Sequence, residues 1–219
     1  MNEDVKRIIE ILRNTQLEFN RKKLEEMIIL RNDPELSYYI SREFSWSNKE
    51  AHKKVVVNSK DPKLCYLFAR NVNGINKSDL EEEVIDSNDS MLNYEYAANV
   101  SGADIKRHAQ VIIDKKDLMY CYLFAELHVM DNTPFENIIL ESGDLDYNYY
   151  YAANIEGANI KAHEKLILDS KCAYRSLKFA TYVEDADIEA HKKIIYDSGD
   201  QVLINMFKNN FEGKAKIKK

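Results

Sequence analysis

The sequence predicts an all-α fold: a right-handed α-solenoid of about seven helix pairs and a closing helix. Three observations predict it. A unit of 28 residues recurs along the chain, with heads at Asp33, Asp61, Asp89, Asp117, Asp144, Cys172 and Asp200 and one interval of 27. Apolar residues recur at spacings of four in the first half of each unit. A column of Asn or Asp opens the second half. A fixed period of this size belongs to repeat architectures, whose units cannot bury their apolar faces alone and must stack.

The first helix of each unit starts at its head. Asp is a good N-cap, and Pro34 and Pro62 follow at the first helical position, where a missing N–H costs nothing. Positions 3, 7 and 11 after the head fall on one face: Leu36, Ile40, Phe44; Leu64, Phe68, Val72; Leu92, Tyr96, Val100; Tyr120, Phe124, His128; Tyr147, Tyr151, Ile155. Position 8 is small, as Ser41, Ala69, Ala97, Ala125, Ala152 and Ala180. A small residue there lets a neighbouring helix approach closely. Gly74, Gly102 and Gly157 are expected to end these helices.

The second helix is expected to start at Asn48, Asn76, Asp104, Asp131, Asn159 and Asp187, again good N-caps. Apolar pairs follow seven and eight residues later, such as Val55 with Val56 and Ile138 with Ile139; Glu83 with Val84 breaks the pattern. Asp-Ser pairs at Asp86, Asp169 and Asp197 mark the ends. An acid at a helix C-terminus opposes the helix dipole. These side chains are therefore expected to accept the free N–H groups of the next helix, or to bond a neighbouring histidine. The frame extends backwards, with Asp4 starting the first helix of the chain and Asn20 the second. Fifteen helices result. The expected organisation is one repeat domain over 1–213 (cap pair 1–32, core repeats 33–199, closing helix 200–213) with a flexible basic tail at 214–219.

Composition narrows the class. The chain is 45% hydrophobic and 31% charged over 219 residues, too apolar for a disordered protein. No stretch approaches the length of a membrane span. The N-terminal MNEDVKRIIEILRN carries acids and no apolar core, so a secretory signal is not expected and the cytoplasm is the default compartment. Cys65 and Cys121 share a repeat position two units apart, too distant for a disulfide, and Cys172 reads as an unpaired thiol. The net charge is −6, yet residues 201–219 hold five lysines against one glutamate. An acidic body argues against sequence-independent phosphate binding.

The run ADIKRHAQVIIDKKDLMYCYLFA, echoed by ANIKAHEKLILDS and ADIEAHKKIIYDS, resembles tandem short αα-repeats of uncharacterised proteins from Firmicutes and their phages. The architecture is similar to HEAT-type solenoids with a shorter unit. The resemblance implies the fold and carries no activity with it.

Candidate chemistry follows the repeat. His52, His108, His163 and His191 share one position with Leu80 and Phe135, which reads as half-buried packing rather than a metal column. HEKLI at His163 lacks the second histidine of a zinc-protease helix. Phosphate loops and nucleophile elbows are absent from the sequence, so the expectation is no enzyme, no cofactor and no metal. Tyr38, Tyr66, Tyr94, Tyr122 and Tyr149 form a column read mainly as packing with the hydroxyl at a wet edge. The next position holds Tyr39, Leu67, Glu95, Leu123 and Tyr150. With Glu126, Asp146 and Tyr174, these residues make the candidate binding surface.

The sequence therefore leads to a non-catalytic binding protein with an acidic, tyrosine-rich groove and a protein partner, itself expected as a monomer. A sharper expectation is a mobile-element inhibitor of a host defence nuclease, of the anti-CRISPR kind, because rows of carboxylates imitate phosphate charge. The alternative is RNA or single-stranded nucleic acid binding through the tyrosine column and the KAKIKK tail.

Overall fold

A computed structural model describes residues 3–14, 18–127 and 130–212. The expected tail at 214–219 and His128 lie outside them. The described residues are all-helical, with fifteen α-helices and one terminal π-helical turn, Lys208–Glu212. Two compact units divide the chain, 1–112 and 113–219. The first holds α1 (Glu3–Asn14), α2 (Glu18–Arg31), α3 (Pro34–Glu43), α4 (Lys49–Asn58), α5 (Pro62–Asn71), α6 (Ser78–Asp86) and α7 (Ser90–Asn99). Helix α8 (Ile105–Lys115) runs from the first into the second. The second continues with α9 (Leu118–Glu126), α10 (Thr133–Ser142), α11 (Leu145–Asn154), α12 (Ile160–Asp169), α13 (Ala173–Tyr182), α14 (Ile188–Asp197) and α15 (Gln201–Phe207).

Within each unit the pairs stack as a solenoid does. Helix α3 packs on α4, α5 on α6, α9 on α10, α11 on α12 and α13 on α14. First helices pack on first helices (α3 on α5 on α7; α9 on α11 on α13 on α15), and second helices on second (α2 on α4 on α6; α10 on α12 on α14). Each layer therefore buries its apolar stripe against the next one. In the first unit Phe68, Leu80, Val84 and Tyr96 form one continuous core, and in the second Tyr149, Ile167 and Phe179 do the same. Burying a side chain of that size stabilises by about 1.5–3 kcal/mol. The small column lies inside these layers at Ala69 and Ala125, which have no exposed surface, while Ala97 is half-buried.

The head aspartates cap as expected. Asp33 Oδ1 accepts from the Leu36 N–H at 3.0 Å, Asp61 from Leu64 at 3.1 Å and Asp144 from Tyr147 at 3.0 Å. Cys172 occupies the same extended N-cap backbone without a side-chain bond. The first helices end on their buried position-11 residue rather than at glycine. Val72, Val100, Ile155 and Val183 turn into extended backbone while each N–H still bonds four residues back. Gly102, two residues later at φ 83°, reverses the chain in the left-handed region that a Cβ disfavours.

The start of each second helix is corrected in part. Asn48, Asp104, Asn159 and Asp187 cap by accepting from the N–H three residues on. Asn76 and Asp131 sit one residue outside, where they accept both N–H and hydroxyl of Ser78 and Thr133. Asn20 lies inside α2, and Asp4 inside the first turn of α1.

The Asp-Ser pairs are also corrected, because the serine makes the joint and the acid does not. Ser87 Oγ donates to the Val84 carbonyl at 2.6 Å and accepts from the Asp89 N–H at 3.3 Å. Ser142 and Ser198 repeat both bonds. Each serine thus closes one helix and holds the head of the next. Asp86, Asp169 and Asp197 point outward and are exposed.

Candidate functional site

Two constellations stand out, one buried and one exposed. The buried one lies between layers. His52, His108, His163 and His191 have no exposed surface, where the sequence reading expected half-burial. Each faces a glutamate on the preceding second helix: Glu25 at 3.3 Å, Glu81 at 3.1 Å, Glu136 at 3.2 Å and Glu164 at 3.2 Å from Nε2. The same carboxylate oxygen accepts the backbone N–H of the cap residue in the histidine's own unit: Asn48 at 2.5 Å, Asp104 at 2.6 Å, Asn159 at 2.6 Å and Asp187 at 2.5 Å. One glutamate therefore pins the start of the next second helix in all four layers, and bonds the histidine as well at His108 and His163.

The opposite ring nitrogen points at position 4 of the first helix. There Asn93 Oδ1 lies 2.7 Å from His108 Nδ1, and Asn148 Oδ1 lies 2.7 Å from His163 Nδ1. The other two histidines have Ser37 and Ser176 at that position; these hydroxyls and ring nitrogens are buried without a hydrogen bond. In the two units without histidine, the first-helix position holds Cys65 or Cys121, the histidine position holds Leu80 or Phe135, and the glutamate position holds Lys53 or Ala109. Lys53 Nζ donates instead to the Asn76 carbonyl at 3.0 Å. The three positions change together, because a buried imidazole needs partners on both sides and an apolar ring needs none. The same change accompanies the shifted caps at Asn76 and Asp131: Lys53 and Ala109 stand where the other layers place the pinning glutamate, and the Asn76 N–H meets Glu50 instead.

Burial pushes the His52 imidazole down to about 4. It pushes His108, His163 and His191 in the same direction, and the facing glutamates push those three back. Ser176, His191 and Glu164 are the residue types of a hydrolytic triad. All three are buried between packed layers, and neither the serine hydroxyl nor the ring makes a hydrogen bond. The sequence reading missed the glutamates. The signal was available: a glutamate stands 27 residues before every histidine of the column and before neither Leu80 nor Phe135.

The exposed constellation lies on the first helices, and the eight candidate residues fare differently. In the unit 1–112, Tyr39 and Leu67 are half-buried against the core. Glu95 accepts from Tyr66 Oη at 2.9 Å and from Asn99 Nδ2 at 2.9 Å. In the unit 113–219, Leu123 is half-buried, Glu126 accepts from Tyr122 Oη, and Asp146 pairs with Arg175 at 2.5 Å. The candidate carboxylates are thus engaged by their own neighbours. Tyr150 and Tyr174 are open, at 39% and 48% exposure.

Around those two tyrosines the second unit builds a continuous patch. Ring centroids of Tyr122 and Tyr150 are 6.2 Å apart, and those of Tyr149 and Tyr150 5.2 Å. Lys178 Nζ sits 5.5 Å from the Tyr149 ring and 5.2 Å from the Tyr174 ring. Met119, on α9, is 46% exposed. The tyrosine column itself packs as expected, with rings inside and hydroxyls at the edge. Tyr38 Oη accepts from Asn71 Nδ2 at 3.0 Å and Tyr122 Oη from Asn154 Nδ2 at 3.2 Å, each one layer on. Burial and the Glu126 carboxylate push the Tyr122 hydroxyl up to about 12, so it stays a neutral donor.

Among the described residues no group of three His, Cys, Asp or Glu side chains is placed to hold a metal, and no helix is long and apolar enough to cross a membrane. No protein-family model matches this chain, and no curated protein or solved structure matches it.

Proposed function

We propose that this chain is a non-catalytic binding protein that docks a protein partner on the first-helix face of residues 113–219. One observation carries the reading. Tyr150 and Tyr174 are large, exposed and joined through Tyr149 and Lys178 into one patch, and Met119 is exposed on α9 of the same unit. Tyrosine and methionine are enriched at the centres of protein interfaces. Tyr150 and Tyr174 hold no core together, so exposing them needs a reason outside the fold.

The sharper reading, an inhibitor of a nucleic-acid-handling enzyme, rests on the acidic balance and the phage-type resemblance. The engagement of Glu95, Glu126 and Asp146 by their neighbours weakens the idea that these carboxylates imitate phosphate. The test is affinity capture from a bacterial lysate expressing candidate defence systems, with and without nuclease treatment. The tagged wild type is compared with a Y150A/Y174A variant of equal thermal stability. A protein partner that survives nuclease and is lost with the variant supports the docking face. Recovery of RNA or DNA that weakens steeply with salt overturns it in favour of nucleic-acid binding.

A further inference from the structure

The buried layer contacts hold an unsatisfied requirement, and it concerns protons. The Asn93 carboxamide has one end against two backbone carbonyls, with Nδ2 3.2 Å from the Val84 oxygen and 2.9 Å from the Asp89 oxygen. Only an NH2 group can face two carbonyls, so the end that faces His108 is the carbonyl oxygen. Nδ1 of His108 must therefore carry a hydrogen. Asn148 fixes His163 identically, with Nδ2 3.0 Å from the Ile139 oxygen and 2.7 Å from the Asp144 oxygen.

A neutral imidazole has one hydrogen. With it placed on Nδ1, Nε2 presents a lone pair to the glutamate, 3.1 Å away in one layer and 3.2 Å in the other. A lone pair against a carboxylate oxygen at that distance is repulsive. One more proton removes the conflict, whether it sits on the ring or on the carboxyl group. We propose that the Glu81–His108 and Glu136–His163 pairs each retain one bound proton at neutral pH, shared between Oε1 and Nε2, whereas Glu25–His52 and Glu164–His191 retain none.

The serine layers differ for a physical reason. A hydroxyl both donates and accepts, so Ser37 and Ser176 dictate no hydrogen on Nδ1. Their rings lie 3.3 and 3.2 Å from Glu25 and Glu164, and the one hydrogen of a neutral ring is free to sit on Nε2 and face the carboxylate, so both stay singly protonated. The other groups facing the two asparagine-held rings leave the argument unchanged. Around His108 these are Tyr96 on α7, ring centroids 4.8 Å apart, and Asp104 and Arg107 on its own helix, with Arg107 paired to Glu82 of α6. Around His163 it is Tyr151 on α11, at 5.3 Å. Burial pushes both tyrosine hydroxyls up, so neither supplies the proton by ionising.

The two kinds of layer then respond to pH with opposite signs. Burial alone would loosen a ring proton. With Nδ1–H held by asparagine, however, only a lone pair is left to face the carboxylate at 3.1–3.2 Å, so the shared proton is bound more tightly in the fold than by a free imidazole, whose ordinary value is about 6.5. Its stabilisation is full below that value and is lost as pH rises through the folded one. A ring buried neutral stabilises above about 6.5 and loses that as pH falls.

The experiment is nitrogen NMR of the full chain labelled with 15N-histidine at pH 7, for the wild type, N93S and S37N. Both variants place a residue that the same position carries in another layer, so the fold accommodates them. The expected wild-type spectrum has His108 and His163 protonated at Nδ1, with Nε2 shifted away from a bare ring nitrogen. His52 and His191 each carry a single hydrogen. N93S moves His108 into the second group, and S37N moves His52 into the first. Thermal melting from pH 7 to 9 should lower the midpoint of the wild type more than that of an N93S/N148S variant. A bare Nε2 on His108 and His163, or variants that leave their ring unchanged, overturns the proposal.

Discussion

Glu136 and His163 stand 27 residues apart in the chain and 3.2 Å apart in the fold, and Asn148 holds the far side of the same ring. The same three positions are filled differently in other layers, and one of those sets, without a histidine, is Lys53, Cys65 and Leu80. Breaking the histidine set piecemeal leaves buried polar groups without partners, at about 1–3 kcal/mol each. E136A should therefore lower the urea midpoint by an amount equivalent to about 1–3 kcal/mol. The triple variant E136K/N148C/H163L installs the set without histidine whole. It should be more stable than the H163L single variant, although it changes three residues instead of one. A triple variant less stable than H163L would show that the positions do not act as a set.

His52 provides a pH prediction with a definite sign. Burial holds its imidazole at about 4, below the unfolded value of about 6.5. A depressed histidine stabilises the fold above the unfolded value and loses that stability as pH falls through the folded one. The loss amounts to about 3 kcal/mol by pH 4, at about 1.4 kcal/mol per unit. Glu25, which faces it, is itself pushed up by burial and is present in both proteins compared. Melting curves of wild type and H52L should diverge between pH 6.5 and 4, with the wild type falling faster. Parallel curves would mean that His52 is charged in the fold.

Much of this was legible in the sequence because the signals were local. Asp61 caps and Pro62 follows it within one turn, and Leu64, Phe68 and Val72 share a face whatever surrounds them. Of Tyr39, Leu67, Glu95, Leu123 and Tyr150 at position 6, exposure was legible only at Tyr150, because that position gives direction on the helix and not the depth of the neighbouring layer. Tyr39 and Leu67 share that direction and are half-covered. The glutamate–histidine contacts were missed because their partners lie a whole unit apart, and reading each column singly made histidine look like an occasional substitute for leucine. The acid of the Asp-Ser pairs was credited with the bond that Ser87 makes, since sequence alone cannot say which of two adjacent polar side chains turns inward.

Lys171 sits in the left-handed region at φ 54°, at the position where Gly143 and Gly199 stand in neighbouring units. A side chain there costs about 1–2 kcal/mol, and the freer unfolded chain of glycine returns part of the gain. Lys60 and Lys116 occupy the same position with an ion pair to Glu83 and Glu141. Lys171 has none among the described residues, so its replacement loses least. K171G should raise the urea midpoint by an amount equivalent to about 0.5–1 kcal/mol, whereas K171A should not. A destabilised K171G would mean that the lysine side chain does more for the joint than its backbone costs.

Cys172 begins α13 with φ −78° and ψ 104°, close to the −68° and 116° of Asp144 at the head of α11, yet it bonds no helix N–H. The backbone is already posed for a cap, and only the acceptor is missing. C172D should supply it to the N–H groups of the first turn, as Asp144 does for Asp146 and Tyr147. Its negative charge also favours the helix N-terminus. The expected gain is about 1 kcal/mol, typical of an Asp cap over a residue that cannot accept. C172A controls for loss of the thiol and should leave the unfolding midpoint nearly unchanged. If C172D gains no more than C172A, the first turn of α13 is already satisfied by solvent.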